Sequence, residues 1–467
     1  MKKTSAFSAS SVALAVAALC ASMPSFAQVQ AKVTGRVQFD VRDQSNGFTD
    51  SADRDTASAA DNFEIRRARI GVSGTINKDI SYEVVGNAVG SSTNFVDTAF
   101  ANYGFNKAAQ FRAGRFKQPF SLEELTSSNN IDFMERSYGN QMVPGKRLGL
   151  MLHGEATKGL NYGVSLFQDN FTESSNSSNA GSNYAARVAF NGAEFGKIDK
   201  TVLHFGYGIT SGTAQTVPTT SGNTQNAAEA TTRATIVALR SENRGLSNVY
   251  RAQIGGDRIG QAQYGASANN VINIDKDLTG LELALARGPF KFQMEDFDTK
   301  YTASGISKAY SVVSPATSLA ADNTVGYDVR VKAQYVELMY NITGEEWSKA
   351  YKGGAFSGIS PESVFMKDYG GVVGNGIGAW QVGVRQSTYK ATASNSDAGN
   401  GGSNRTQNSD KATTTTYALN WILNNNARVM LNYAETKFGT KVEALDGGTG
   451  KVMDKEQIIS LRTQINF

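Results

Sequence analysis

Along most of this chain, residues two apart share a chemical character and immediate neighbours do not. At the C-terminus Ile459, Leu461, Thr463, Ile465 and Phe467 alternate with Ser460, Arg462, Gln464 and Asn466. A period of two places each set on one face of a β-strand, one apolar and one polar. The pattern recurs. Val33, Val37, Phe39 and Val41 oppose Lys32, Thr34, Arg36, Gln38 and Asp40. Leu203, Phe205, Tyr207 and Ile209 oppose His204, Gly206 and Gly208, and Trp380, Val382 and Val384 oppose Gln381, Gly383 and Arg385.

The connections between these segments alternate in length. Asn77–Asp79, Lys158–Gly159, Arg287–Pro289 and Asn424–Asn426 are tight, whereas 44–61, 170–182, 299–324, 388–410 and 438–455 are long and polar. Short turns at one end and long loops at the other predict an antiparallel up-and-down transmembrane β-barrel. Residues 211–276 read as one further long loop. A barrel wall shows only half of its residues to lipid, which accounts for a hydrophobic fraction of 40% in a membrane protein. No apolar run outside the N-terminus is long enough for a membrane helix. With 46 Lys+Arg against 42 Asp+Glu, the charge is too balanced for a dedicated nucleic-acid binder.

Met1–Lys2–Lys3, the apolar run 11–21 and Ser25–Phe26–Ala27 form a secretory signal, expected to be cleaved after Ala27. Cleavage removes the only cysteine, Cys20, so a thiolate nucleophile and a zinc–thiolate site are excluded from residues 28–467. His153 and His204 are too few for a multi-histidine metal centre, and no cofactor is implied. The expected organisation is a signal peptide over 1–27 and a single barrel over 28–467.

The apolar parity breaks once in an informative place. Phe63 and Ile65 are odd, while Ala68, Ile70, Val72 and Ile76 are even. Arginine on the lipid face at mid-bilayer costs about 2–4 kcal/mol. A β-bulge at Arg66–Arg67 would turn both arginines and Arg69 into the lumen. The other reading is a strand end with the arginines at the interface.

Several segments, in order, resemble the phosphate-selective porin O/P family: IRRARIG (65–71), FRAGRFKQPFSLEELTSSNNIDFMERS (111–137), PGKRLGL (144–150), ELMYNITGEEWSKAYKGGAF (337–356), GAWQVGVR (378–385) and NWILNNNARVMLNY (420–433). The resemblance implies 16 strands, a homotrimer in the Gram-negative outer membrane and passive diffusion of small anions, phosphate foremost. It places Arg36, Arg66 and Arg67 on the family's arginine ladder and Asp97 on its acidic filter position. Parity adds Arg69, Arg187, Arg385 and Arg462 as wall candidates. The resemblance also implies that a basic loop from 211–276 folds into the lumen, with Arg233, Arg240 and Arg244 as candidates; a solvated surface loop is the alternative. Residues 118–146 are expected to form the other inward loop. Phe467 resembles the C-terminal signal that the barrel assembly machinery reads.

Two departures stand out. Asn129 occupies the stretch where the family carries a filter lysine, and only Lys32 precedes the first strand where phosphate-specific members carry several lysines. Both lower the local anion potential. An anion-preferring porin is therefore the leading expectation, with a weakly selective general porin next. A barrel enzyme or an adhesin is the reading from another class.

Overall fold

Sixteen antiparallel strands close on themselves, each hydrogen-bonded to its chain neighbours and the last to the first. The first nine are β1 Val29–Asn46, β2 Asn62–Ile76, β3 Ile80–Asn87, β4 Val96–Gly104, β5 Gln110–Lys117, β6 Lys146–Thr157, β7 Leu160–Gln168, β8 Ser182–Asn191 and β9 Thr201–Thr216. The rest are β10 Ile272–Arg287, β11 Phe290–Ser307, β12 Thr324–Asn341, β13 Ala379–Ala393, β14 Lys411–Ile422, β15 Ala427–Glu443 and β16 Val452–Asn466. This computed structural model describes residues 29–46, 62–89, 95–168, 182–216, 219–221, 231–246, 249–254, 272–307, 324–365, 376–393, 409–443 and 452–467. The signal segment 1–27 lies outside the described residues.

The alternation places side chains as it should. On β1, Val33, Val37 and Phe39 are exposed on the outer face, while Arg36, Gln38, Asp40, Arg42 and Gln44 are buried within the barrel. On β2 the register shifts: Gln38 pairs with Arg67 and Phe39 with Ile65, so Arg66 is the extra residue of a bulge. Both neighbours of the bulge then keep their apolar residues on the lipid side.

Closure is completed by the last residue. Gly35 and Phe467 exchange backbone hydrogen bonds at 2.8 and 3.0 Å. A methyl group on Gly35 would collide with the Phe467 ring, so glycine is what lets the terminal aromatic lie against β1.

Residues 118–145 turn inward after β5. The Phe120 ring lies over Gly208 on β9 and Gly280 on β10, which pair directly across the two strands. A Cβ on either glycine would stand 2.9 Å from a ring carbon. Tyr138, further along the same loop, receives and makes wall contacts: its N–H donates to Ser387 at 3.1 Å and its hydroxyl meets Thr414 at 3.0 Å.

The segment between β9 and β10 is not a bare loop. Thr219–Ser221, Thr231–Leu239 and Tyr250–Ile254 form a small three-stranded sheet. Its Ile236, Leu239 and Val249 pack with Phe120 and Tyr138 and with the inward Val329, Val331 and Tyr335 of β12. The inner face of the late strands is thus apolar where loops cover it. Alternation identifies which residues turn inward, not whether water or protein meets them.

A second difference concerns the tight-turn end. The connection from β12 to β13, residues 342–378, is long. Its Trp347, Phe356 and Ile359 are buried in a cluster with Leu122 and Phe133 of the inward loop. Apolar side chains from its 347–359 stretch thus pack against the inward loop and the wall. The strands β11 and β15 also run further than the polar composition of 299–324 and 438–455 indicates.

The glycine pair under Phe120 gives a direct test. Gly280→Val should displace the inward loop at a cost of about 1–3 kcal/mol, as overpacking does. The expected outcome is a folded barrel with a lowered melting temperature in detergent and altered single-channel conductance; wild-type values for both would refute the packing role.

Candidate functional site

Within the barrel, charge is sorted by partner. Glu135 of the inward loop is the main collector. Arg66 reaches it through Nε at 3.0 Å and Nη2 at 3.3 Å, Arg42 at 3.4 Å, Arg462 at 3.5 Å and Arg244 at 4.0 Å. Burial pushes the Glu135 carboxyl up, but Arg66, Arg462 and Arg67 outweigh it and hold the group well below the usual carboxylate range. The anion is therefore fixed, and it pins the loop to β1, β2 and β16.

Other wall candidates are also neutralised. Arg462 makes a two-pronged bond to Asp40, Nε and Nη2 each at 2.7 Å. Arg187 does the same to Glu282 at 2.8 and 2.6 Å. Arg385 bridges Glu123 at 3.0 Å and Glu242 at 2.6 Å. The side chains of Arg385 and Arg462 are only 2% and 0% exposed, so they brace the interior rather than face an ion path.

Basic groups that water reaches line the β2 to β6 side. Arg66, Arg69, Lys117 and Lys146 keep 18%, 16%, 20% and 21% of their side chains exposed. Arg69 pairs with Asp97 at 2.6 Å, and Lys146 pairs with the same carboxylate and with Thr98 Oγ1 at 2.7 Å. Asp97 thus joins β4 to β2 and β6. Lys117 and Arg136 donate to the carbonyls of Glu124 and Thr126.

Arg36 and Arg67 differ from these. Arg67 Nη1 donates to Gln38 Oε1 at 2.8 Å, and Arg36 Nη1 donates to Asn129 Oδ1. Gln38 in turn donates to Ser128 O at 3.3 Å and Gln464 Oε1 at 2.5 Å. Both guanidiniums are thus positioned by neutral amides beside loop residues 128–129, and neither has a carboxylate ion pair among the described residues. Amides fix geometry without themselves neutralising the charge.

The loop candidates divide. Arg244 pairs with Glu64 at 3.3 Å as well as Glu135. Arg240 is exposed, with its backbone N–H bonded to Gln141 at 3.1 Å and its carbonyl bonded in return. Arg233 lies on Thr231–Leu239, and its side chain is outside the described residues. Arg42, Gln38 and Glu64 went unselected in the sequence; the even parity that marks Arg36 would have found the first two.

Comparison with known proteins now bears on the whole chain. The model of the phosphate-selective porin O and P family matches residues 31–467. The chain belongs to that family. It is 26% identical to Porin O of Pseudomonas aeruginosa over 423 residues, 87% of this chain and 82% of that protein. Among solved structures, OmpT of Vibrio cholerae in its trimer form aligns with 94% of this chain and 99% of its own at 9% identity and a TM-score of 0.48. The anion-selective porin of Comamonas acidovorans aligns with 94% of this chain and 100% of its own at 12% identity and a TM-score of 0.47. Membership in the family makes this protein an outer-membrane channel rather than an enzyme.

The role of Glu135 is testable by pH. Its lowered carboxyl stabilises the loop fully at and above the ordinary glutamate value of about 4.3, and that contribution is lost only as pH falls further. Wild-type current should be steady from neutral pH to about 5, with loop noise appearing below about 4. Glu135→Gln should be noisy already at neutral pH, because breaking a buried pair costs about 3–5 kcal/mol. Quiet E135Q channels at neutral pH would refute the pinning role.

Proposed function

We propose that this porin passes small inorganic anions, phosphate-like ones foremost, through a constriction between the inward loop and β1–β2. The observation that carries the proposal is the pair of guanidiniums, Arg36 and Arg67, held by Asn129 and Gln38 rather than by carboxylates. Arginine stays charged at any relevant pH, and its planar fork matches an oxyanion. Moderate, successive sites allow an ion to enter and leave. Membership in the porin O and P family is consistent with this reading.

Weak selectivity is the second reading. Glu135 and Asp97 neutralise Arg66 and Arg69, which leaves fewer free charges than the arginine count implies.

Planar-bilayer recording separates the two. A KCl gradient should give a reversal potential of anionic sign, and added phosphate should reduce the chloride current. Replacing Arg36 and Arg67 by Ala should weaken phosphate block at least about tenfold, since one hydrogen bond to a charged group is worth about 1.5–3 kcal/mol. Cation preference in wild type would overturn the anion reading, and anion preference without phosphate block would favour the general porin.

We further infer a homotrimer. β3, β4 and β5 have eight, nine and eight residues, at or below the roughly 9–11 that a tilted strand needs to cross the hydrocarbon layer. Other copies covering that low wall would remove the mismatch. Cross-linking in native membranes should trap trimers, and recovery of monomers alone would refute it.

A further inference from the structure

Arg428 opens β15 just after the turn 424–426, on the inward face and 7% exposed. It pairs across the strands with Gln464 and Ile422, not with an acid. Its Nε and Nη2 are both buried without a hydrogen-bond partner. These two atoms form one edge of the guanidinium. Arg66, Arg187 and Arg462 each use that same edge to grip a carboxylate in two-pronged fashion. Among the described residues, Arg428 is the arginine in which both atoms of the edge are fully buried and unfilled.

Arg428 lines a cavity of about 150 Å³ at the tight-turn end. Asn129, Asn424, Asn425, Gln381 and Ser360 contribute polar lining. The carboxylate of Asp132 also lines it, but Lys291 Nζ holds that group. A buried guanidinium without a counter-charge is costly, and burial of a charge ordinarily comes with a partner. The lining offers amides and hydroxyls, which can complete the coordination of an oxyanion but cannot neutralise arginine themselves.

We propose that Arg428 holds a small oxyanion in this cavity, through Nε and Nη2, as a second binding step on the exit side of the constriction. Asn129 links the two steps. Its side-chain oxygen accepts from Arg36, and the residue also lines the Arg428 cavity. Short turns face the periplasm in outer-membrane barrels, so the second step lies at the periplasmic mouth. The inference rests on the proposed anion pathway only for its place on that route; the binding site stands on its own geometry.

Selenate is a suitable probe, because it is an oxyanion that scatters anomalously. Crystals of the processed full-length barrel soaked in selenate should show an anomalous peak within hydrogen-bond reach of Arg428 Nε and Nη2. No peak there, or density fitting water alone, overturns the proposal. The Arg428→Gln variant should lose that peak while keeping any peak at Arg36 or Arg67; persistence of the Arg428-site peak overturns the assignment to this side chain. Where Arg428→Gln fails to assemble, Arg428→Lys keeps the charge without the fork, and an undiminished peak in it also counts against the two-pronged mode. A peak at Arg428 with none at Arg36 or Arg67 would fault the constriction reading and leave this site standing. The reverse pattern would do the opposite.

Discussion

Charge pairing inside a closed wall governs this molecule. The barrel turns many arginines inward, and an inward charge shielded from water needs a partner. Glu135 serves four of them from one position on the inward loop. The same contacts that satisfy Arg42, Arg66, Arg244 and Arg462 therefore decide where the loop lies. They also decide which arginines remain available to an ion. Arg36 and Arg67 are left to amides because the carboxylates nearby are already engaged.

The loops divide the lumen unequally. One side is packed solid by residues 118–145 and by the small sheet after β9, seated on β10 to β15. Phe120 can enter only because Gly208 and Gly280 face each other beneath it. The other side, along β2 to β6, keeps its basic groups in contact with water. A channel built this way is braced on one side and open and basic on the other, and the same loop bounds both.

Much of this was legible in the sequence. The two-residue period located the wall, the parity break between Ile65 and Ala68 marked the bulge that the register shift at Arg66 now shows, and the evenness of Arg36 put it inside. What parity could not convey is pairing. Arg66 and Arg67 look equivalent as letters, yet one meets Glu135 and the other Gln38, residues distant in sequence. Arg385 and Arg462 have the right parity and turn out to be structural braces. The 342–378 connection was hidden for a different reason: its buried Trp347, Phe356 and Ile359 are spaced irregularly, so no period announces them. The buried, unsatisfied edge of Arg428 depends on what surrounds it in space and leaves no mark in the chain.

The packed side of the lumen has a thermal consequence. A wholly water-filled barrel would expose little new apolar surface to water on loosening its loops. Here Phe120, Tyr138, Ile236, Val329 and Tyr335 form a core of the kind found in water-soluble domains. Releasing that core hydrates apolar surface, with the positive heat-capacity change that such hydration brings. This apolar part of the loops' grip therefore belongs to the class of interactions that weaken on cooling, while the Glu135 ion pairs and the hydrogen-bonded wall do not depend on it.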